Sequence, residues 1–222
     1  MTGLFIQVRL DSSRLPGKAL LPLAGMTVVE HAFRALAEVP ADYHILLTDP
    51  LSAPKLTALA RKWGFRTWIG SRDNVLTRFA GAIRHFHVDT FIRATGDNPL
   101  VDWQAAALAL ECFKAGEWDY FGFKNLPLGG GVEIVNAAAL LEADANTHEP
   151  YDREHVTPYI YNNPEKFRVE LREAPDGHRS SGRITMDTRA DYEYILKAFK
   201  DLYRGDIIPF DQIIRWLSEN ER

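Results

Sequence analysis

Residues 4–20 read Leu4-Phe5-Ile6-Gln7-Val8-Arg9-Leu10-Asp11-Ser12-Ser13-Arg14-Leu15-Pro16-Gly17-Lys18-Ala19-Leu20. The apolar run Leu4–Val8 suits a short buried strand. It leads straight into a loop that carries Arg9, Arg14 and Lys18 and is softened by Ser12, Ser13 and Gly17. Three positive charges therefore follow a strand end in a chain whose net charge is −4. Such a cluster suits a triphosphate, because each cation takes a share of the charge on the phosphate oxygens. The plainer alternative is a solvated basic loop. Placement behind a buried strand, rather than along a helix face, favours phosphate.

The loop is not a P-loop: Ser12 stands where the first glycine of G-x-x-x-x-G-K-[S/T] belongs, and Ala19 follows Lys18. The dinucleotide fingerprint G-x-G-x-x-G is absent as well, so neither a P-loop NTPase nor a standard dinucleotide fold is supported.

Outward from this loop, strand and helix signals alternate. Thr27-Val28-Val29-Glu30 has the pattern of a capping box and opens a helix through Val39. Tyr43–Thr48, Phe65–Ile69 and Val88–Ala94 read as further strands. Ala53–Trp63, Asn74–Phe86 and Asp102–Lys114 read as the helices between and after them. This order predicts an α/β fold with a mostly parallel sheet covered by helices on both faces. The second half is less regular. Strands are predicted at Trp118–Lys124, Gly131–Val135 and Phe167–Glu173, and a helix over Tyr151–Asn162. Another short strand is predicted at Arg183–Thr188, with helices at Arg189–Tyr203 and Asp211–Glu219. No Pro-, Gly- or Ser-rich linker and no repeat interrupts the chain, which predicts a single domain over residues 1–222 with a less regular C-terminal lobe.

The 222 residues are 25% charged and 46% hydrophobic, the composition of an ordinary globular protein. The acidic balance argues against a nucleic-acid partner. No apolar run approaches the ~20 residues of a membrane span, and Arg9 interrupts the N-terminal apolar stretch too early for a leader. A cytoplasmic protein is expected. The one cysteine, Cys112, excludes an intrachain disulfide and a multi-cysteine zinc site; its apolar surroundings predict a buried structural thiol.

Ligands of open parallel sheets bind beyond the carboxyl ends of the strands. Two loops should meet there: Arg9–Gly25 and Thr95-Gly96-Asp97-Asn98-Pro99. Gly96 permits a close backbone approach, and a carboxylate at a strand end suits Mg²⁺, which takes one or two carboxylates plus phosphate oxygens and waters. Asp97 could instead cap the next helix, although Asp102 lies nearer that helix start. Asp187 closes the segment Arg183-Ile184-Thr185-Met186-Asp187-Thr188 and is the candidate partner carboxylate, or else only the cap of the helix that follows. In Asp152-Arg153-Glu154-His155, the side chains of Arg153 and His155 could read an acidic substrate, or the segment is a surface helix with a local Arg–Glu pair. The other histidines lack metal-ligand spacing, and no Gly-x-Ser-x-Gly turn supports a catalytic triad.

The stretch Gln7-Val8-Arg9…Ser12-Ser13-Arg14-Leu15-Pro16-Gly17-Lys18 resembles the nucleotide-binding signature of sugar nucleotidyltransferases, in the form used by cytidylyltransferases. Three further segments, Arg93–Leu100, Arg153–Tyr159 and Arg183–Thr188, resemble the SpsF group of spore coat polysaccharide biosynthesis proteins, relatives of the CMP-sialic acid and CMP-Kdo synthetases. The resemblance implies a Rossmann-like, three-layer nucleotide-diphospho-sugar transferase fold, Mg²⁺ as cofactor and a homodimer. It implies CTP and a small acidic sugar as substrates, with CMP transferred and pyrophosphate released. By carry-over, Arg9 and Lys18 contact the triphosphate, and Ser12, Ser13 and Arg14 line the nucleotide loop. Asp97 and Asp187 hold Mg²⁺. The segment Ser71–Arg78 resembles the base-side segment, which puts Asn74 and Arg78 near cytosine. Asp11 departs from the pattern where glycine is common, and Thr77 where an acidic residue is common. Two other readings stand beside this one: a metal-dependent glycosyltransferase that uses a nucleotide sugar, and a non-catalytic CTP-binding protein.

Overall fold

Seven strands form one sheet in the computed structural model, which describes residues 1–220. The chain runs through β1 (Thr2–Gln7), a 3-10 turn (Lys18–Leu20), the small hairpin β2 (Pro22–Leu23) and β3 (Met26–Thr27), and α1 (Val28–Leu36). It continues through β4 (Tyr43–Thr48), α2 (Ala53–Lys62), β5 (Arg66–Ile69), α3 (Val75–Phe86), β6 (Thr90–Thr95) and α4 (Trp103–Lys114). Then follow β7 (Tyr120–Lys124), β8 (Glu133–Asn136), α5 (Ala137–Asn146), α6 (Pro150–His155) and α7 (Pro158–Tyr161). Last come β9 (Val169–Glu173), α8 (Arg189–Leu202) and α9 (Phe210–Glu219).

The strand order is β5-β4-β1-β6-β8-β7-β9, parallel except for β8, which runs against both its neighbours. Alternation of side chains sorts each strand between the two faces. Leu4, Ile6, Leu46, Ile92 and Ala94 face one core, shared with α1, α2 and α4. Phe5, Ile45, Leu47, Phe91 and Val135 face the other, shared with α3, α5 and the α6–α7 region. A third cluster packs α8 and α9 against Leu23, Val28 and Leu100. The expected three-layer α/β architecture with a mostly parallel sheet is therefore present.

The predicted caps form. Glu30 accepts from the backbone N–H and the hydroxyl of Thr27, each at 2.9 Å. Asp102 Oδ1 accepts from the backbone N–H of Ala105 at 3.0 Å and so caps α4, which leaves Asp97 without that duty.

Three expectations are corrected. Arg183–Thr188 is not a sheet strand: it makes one isolated bridge, Leu128 to Arg183, and lies across the loop after β6, with Met186 N–H on the Asp97 carbonyl at 3.3 Å. Its end is drawn into the cap of α8, where Asp191 accepts from the N–H groups of Asp187 and Thr188. Tyr151–Asn162 is not one helix. Pro158 has no N–H to continue it, and the chain breaks at Val156, whose φ of 76° and ψ of −56° form a γ-turn closed by Thr157 N–H on the His155 carbonyl at 3.0 Å. Cys112 is half-exposed rather than buried, because Phe113 takes the inward position on α4.

Candidate active site

β1 and β6 are neighbours, with Gln7 paired to Thr95 at their carboxyl ends. From β1 the chain builds outward to β4 and β5, then returns to place β6 on β1's other side, which makes this the topological switch point where ligands of open sheets bind. A cavity of about 720 Å³ opens there. Two glycines shape it. Gly96 lies so close to the first loop that a Cβ would meet Val8 Cγ2 at 2.5 Å. Gly17, at φ 69°, turns the chain into the 3-10 turn that presents Lys18.

Arg9, Ser12, Ser13, Arg14, Lys18, Arg78, Asp97, His155 and Asp187 all line this cavity. Lys18 is its hub. Its ammonium is ion-paired with Asp97, lies 3.0 Å from Asp187 Oδ1, and donates to the Met186 carbonyl at 2.7 Å. Asp187 also receives Arg14 at 3.1 Å and Arg183 at 2.6 Å. Burial alone would raise the Asp187 carboxyl; hydrogen bonding and charge from Lys18, then Arg183 and Arg14, outweigh it and hold the group below the usual carboxylate range. Asp187 does not cap α8. Thr188 does, in a capping box with Asp191.

A second ionic set flanks the first. Arg9 donates to Glu154 Oε1 at 2.5 Å and to the Arg72 carbonyl at 3.2 Å. Asp11 accepts two bonds from Arg72, at 3.1 and 3.0 Å. Asp11 thus ties the loop after β1 to the segment after β5. Arg78 is buried, and two of its nitrogens hold the Ser71 carbonyl at 2.8 and 2.6 Å. Its Nη1 is buried with no hydrogen-bond partner. Burial, then the nearby charge of Arg9, lowers the guanidinium pKa.

The family model for cytidylyltransferases matches residues 4–209. The chain belongs to the cytidylyltransferase family. It is 34% identical over 97% of its length to the spore coat polysaccharide biosynthesis protein SpsF of Bacillus subtilis, covering 93% of that protein. It is equally similar, at 34% over 97%, to an uncharacterised protein of Methanocaldococcus jannaschii, covering 89% of it. Among solved structures, a cytidylyltransferase from Leptospira borgpetersenii superposes with a TM-score of 0.91 at 26% identity, covering 99% of this chain and 94% of that one. A CMP-Kdo synthetase solved with CTP shares the fold, at a TM-score of 0.70 and 14% identity, over 90% of this chain and 98% of that one. This cytidylyltransferase is therefore a CTP-dependent nucleotidyltransferase, which sets aside the glycosyltransferase and non-catalytic readings.

Two anticipated residues stand outside the cavity of this cytidylyltransferase. Asn74 caps α3, its Oδ1 accepting from Thr77 N–H at 2.9 Å. Arg153 turns away into Asp144 and donates to Asp144 Oδ1 and to the Asp144 carbonyl, each at 2.7 Å, and to the Thr147 carbonyl. Arg153 belongs to the packing of α5 against α6. Arg153→Ala is expected to cost about 1–3 kcal/mol of stability, the range for losing charged, partly buried hydrogen bonds. Thermal denaturation checks this, and the acceptor KM of the folded variant should not change.

The residues that sequence reading passed over are Glu154, which neutralises Arg9, Gln7 and Thr95 on the strand ends, and Arg93 within β6. The available signal was polar residues at alternating positions in otherwise apolar strands. Arg183 was missed too; it grips both Asp187 and Asp191.

Asp191 also carries a pH dependence. Burial pushes its carboxyl up, but hydrogen bonds from Arg183, Thr188 and the backbone N–H groups of Asp187 and Thr188 hold it far below the usual range. A carboxyl depressed by folding contributes stability above its unfolded pKa of about 3.9, and loses that contribution as pH falls below it. The Tm gap between wild type and Asp191→Asn should therefore be widest near neutrality and shrink below about pH 4. A gap that is constant with pH overturns the assignment.

Proposed function

We propose that the chain transfers CMP from CTP to a small acidic sugar, with release of pyrophosphate, in the synthesis of a surface polysaccharide or glycan. The observation that carries this reading is Lys18 held between Asp97 and Asp187 at the carboxyl ends of β1 and β6. A single ammonium reaches both carboxylates, so one small cation fits between them. The donors are carboxylate oxygens, which suit a hard ion. Among the described residues no group of three or more His, Cys, Asp or Glu could hold a metal, so the remaining ligands would come from phosphate and water, as Mg²⁺ prefers.

In this reading Asp97 and Asp187 would hold Mg²⁺, and the ion would supply Lewis-acid neutralisation of the phosphates. Lys18 then leaves the carboxylates and stabilises the charge that builds on the leaving pyrophosphate. Arg9 leaves Glu154, Arg14 leaves Asp187, and both turn to the phosphate oxygens. Ser12 and Ser13 line the same loop. In this reading the base lies toward Arg78, which lines the cavity. The acceptor hydroxyl attacks the α-phosphorus in line and gives up its proton to water, the new P–O bond forms, and the bond to pyrophosphate breaks. No protein nucleophile is needed.

The proposal includes a homodimer working in the cytoplasm, where CTP is held. Among the described residues no helix is long and apolar enough to cross a membrane. The decisive experiment is a pyrophosphate-release screen of the four NTPs against acidic and neutral sugars. Release with CTP and an acidic sugar is expected. Release only with another nucleotide, or only with neutral sugars, overturns the reading.

A further inference from the structure

One charged side chain in the cavity serves neither the phosphate-facing loop nor the carboxylate pair. Arg93 stands on β6, its Cα paired with Phe5 on one side and Glu133 on the other. It lines the cavity with its side chain 14% exposed. Two of its nitrogens are committed: Nε donates to Gln7 Oε1 at 3.3 Å, and Nη1 to Glu133 Oε2 at 2.5 Å. Nη2 has no protein partner among the described residues. It is absent from the buried unpaired atoms, so it retains access to solvent.

Glu133 is itself tightly held. Tyr120 donates its hydroxyl to Oε1 at 3.0 Å, and Thr157 donates to the same carboxylate at 3.1 Å. Burial and the adjacent Glu133 charge push the Tyr120 phenol up, so it remains a donor. Three donors thus share one carboxylate, which spreads its charge and fixes its orientation. The partially buried guanidinium is aimed by this frame, with one edge left for a ligand.

Position separates Arg93 from the carboxylate pair. Arg93 lies two residues inside the end of β6, whereas Asp97 stands in the turn beyond it. Its ion-pair partner, Glu133, is on β8, whereas the partners of Arg9, Arg14 and Lys18 are Glu154, Asp187 and Asp97. The triphosphate already has Arg9, Arg14 and Lys18 at the other end. The anion left for Arg93 is on the acceptor, and a guanidinium fork matches a carboxylate.

We infer that Arg93 is the residue that selects a carboxylate-bearing acceptor, with Glu133, Tyr120 and Thr157 as positioning residues that aim its guanidinium. This rests on the acidic-sugar reading above and assigns to Arg93 the role expected of Arg153. The ligand class is a 2-keto sugar acid, whose carboxylate sits beside the attacking hydroxyl.

The test is ligand-observed NMR on the full chain with Mg²⁺ and the α,β-methylene analogue of CTP. The probes are N-acetylneuraminate and 3-deoxy-manno-octulosonate, each against its own carboxamide. For wild type, at least one acid should bind roughly 10- to 100-fold more tightly than its amide, as a charge-assisted hydrogen bond warrants. Arg93→Gln should bring the acid down to the amide, and Arg93→Lys should restore part of the difference. Affinity for the CTP analogue should not change in either variant. Thr157→Val should reduce the preference for the acid more modestly, again with unchanged nucleotide affinity. The double variant Arg93→Gln/Glu133→Gln removes both charges, so it guards against misfolding caused by an orphaned Glu133; it should behave as Arg93→Gln does.

Equal binding of acid and amide to wild type overturns the inference. So does an acid preference that survives Arg93→Gln, or absence of probe binding while the analogue binds. Loss of the analogue together with the acid in Arg93→Gln overturns it too, by assigning Arg93 to the nucleotide. In each of these cases wild type still binds the analogue, and CTP use stands. Failure of wild type to bind the analogue overturns both.

Discussion

Asp97→Asn is expected to release pyrophosphate at least roughly 10²–10³-fold more slowly than wild type, the scale on which single electrostatic groups at a reacting centre act. The substitution preserves side-chain size and removes one negative charge. Asp97 makes its ion pair with Lys18 and is a quarter exposed, so the fold does not depend on it. The cap of α4 belongs to Asp102 and is untouched. The variant should melt close to the wild-type temperature while its dependence on Mg²⁺ flattens. The measurement is pyrophosphate release across a Mg²⁺ titration at saturating CTP and acceptor. Near-normal turnover would remove Asp97 from the metal site.

Lys18→Ala should reduce kcat by a similar factor, roughly 10²–10³-fold, with KM for CTP little altered. Such a split marks a group that acts on charge developing in the transition state; a pure rise in KM would mark ground-state binding instead. The ion pairs add a second expectation that needs no acceptor. In the free protein the Lys18 ammonium lies where Asp97 and Asp187 converge, so it competes with a divalent ion for both. Removing it leaves the two carboxylates short of countercharge. Mg²⁺ alone should then raise the Tm of Lys18→Ala more than that of wild type, because a ligand stabilises in proportion to its affinity for the folded state. Equal shifts would mean that the lysine and the ion do not share a place.

Most of the sheet was legible because its strands are short apolar runs separated by helices with a clear period. The cap residues Thr27, Glu30 and Asp102 marked helix starts correctly because capping is local chemistry. The segment 183–188 was misread because its apolar–polar alternation is that of a strand, while its hydrogen bonds go to Asp97, Leu128 and Asp191, residues distant or beyond a strand's own grammar. The cations of the first loop pointed to the cavity, and the glycine before Asp97 pointed to a close approach. Arg153 misled because an arginine beside a histidine looks like an anion site, whereas its partner Asp144 is on another helix. Arg93 hid among strand residues for the converse reason: its role depends on Glu133 in the next strand over, and pairing of that kind leaves no spacing signal.

The γ-turn at Val156 bears on how this site can change. A β-branched residue holds a positive φ only when its surroundings compel it. Val156 is fully buried with Leu140 and Ile160. The placement of His155, one residue earlier at the cavity wall, therefore depends on packing behind the wall as well as on the turn itself. Substitutions in that packing layer can move the wall without altering any group that meets substrate. The shape of that wall can drift through silent-looking changes in volume, while the other end of the cavity, where Lys18, Asp97, Asp187 and Arg14 are clamped by ion pairs, stays as it is.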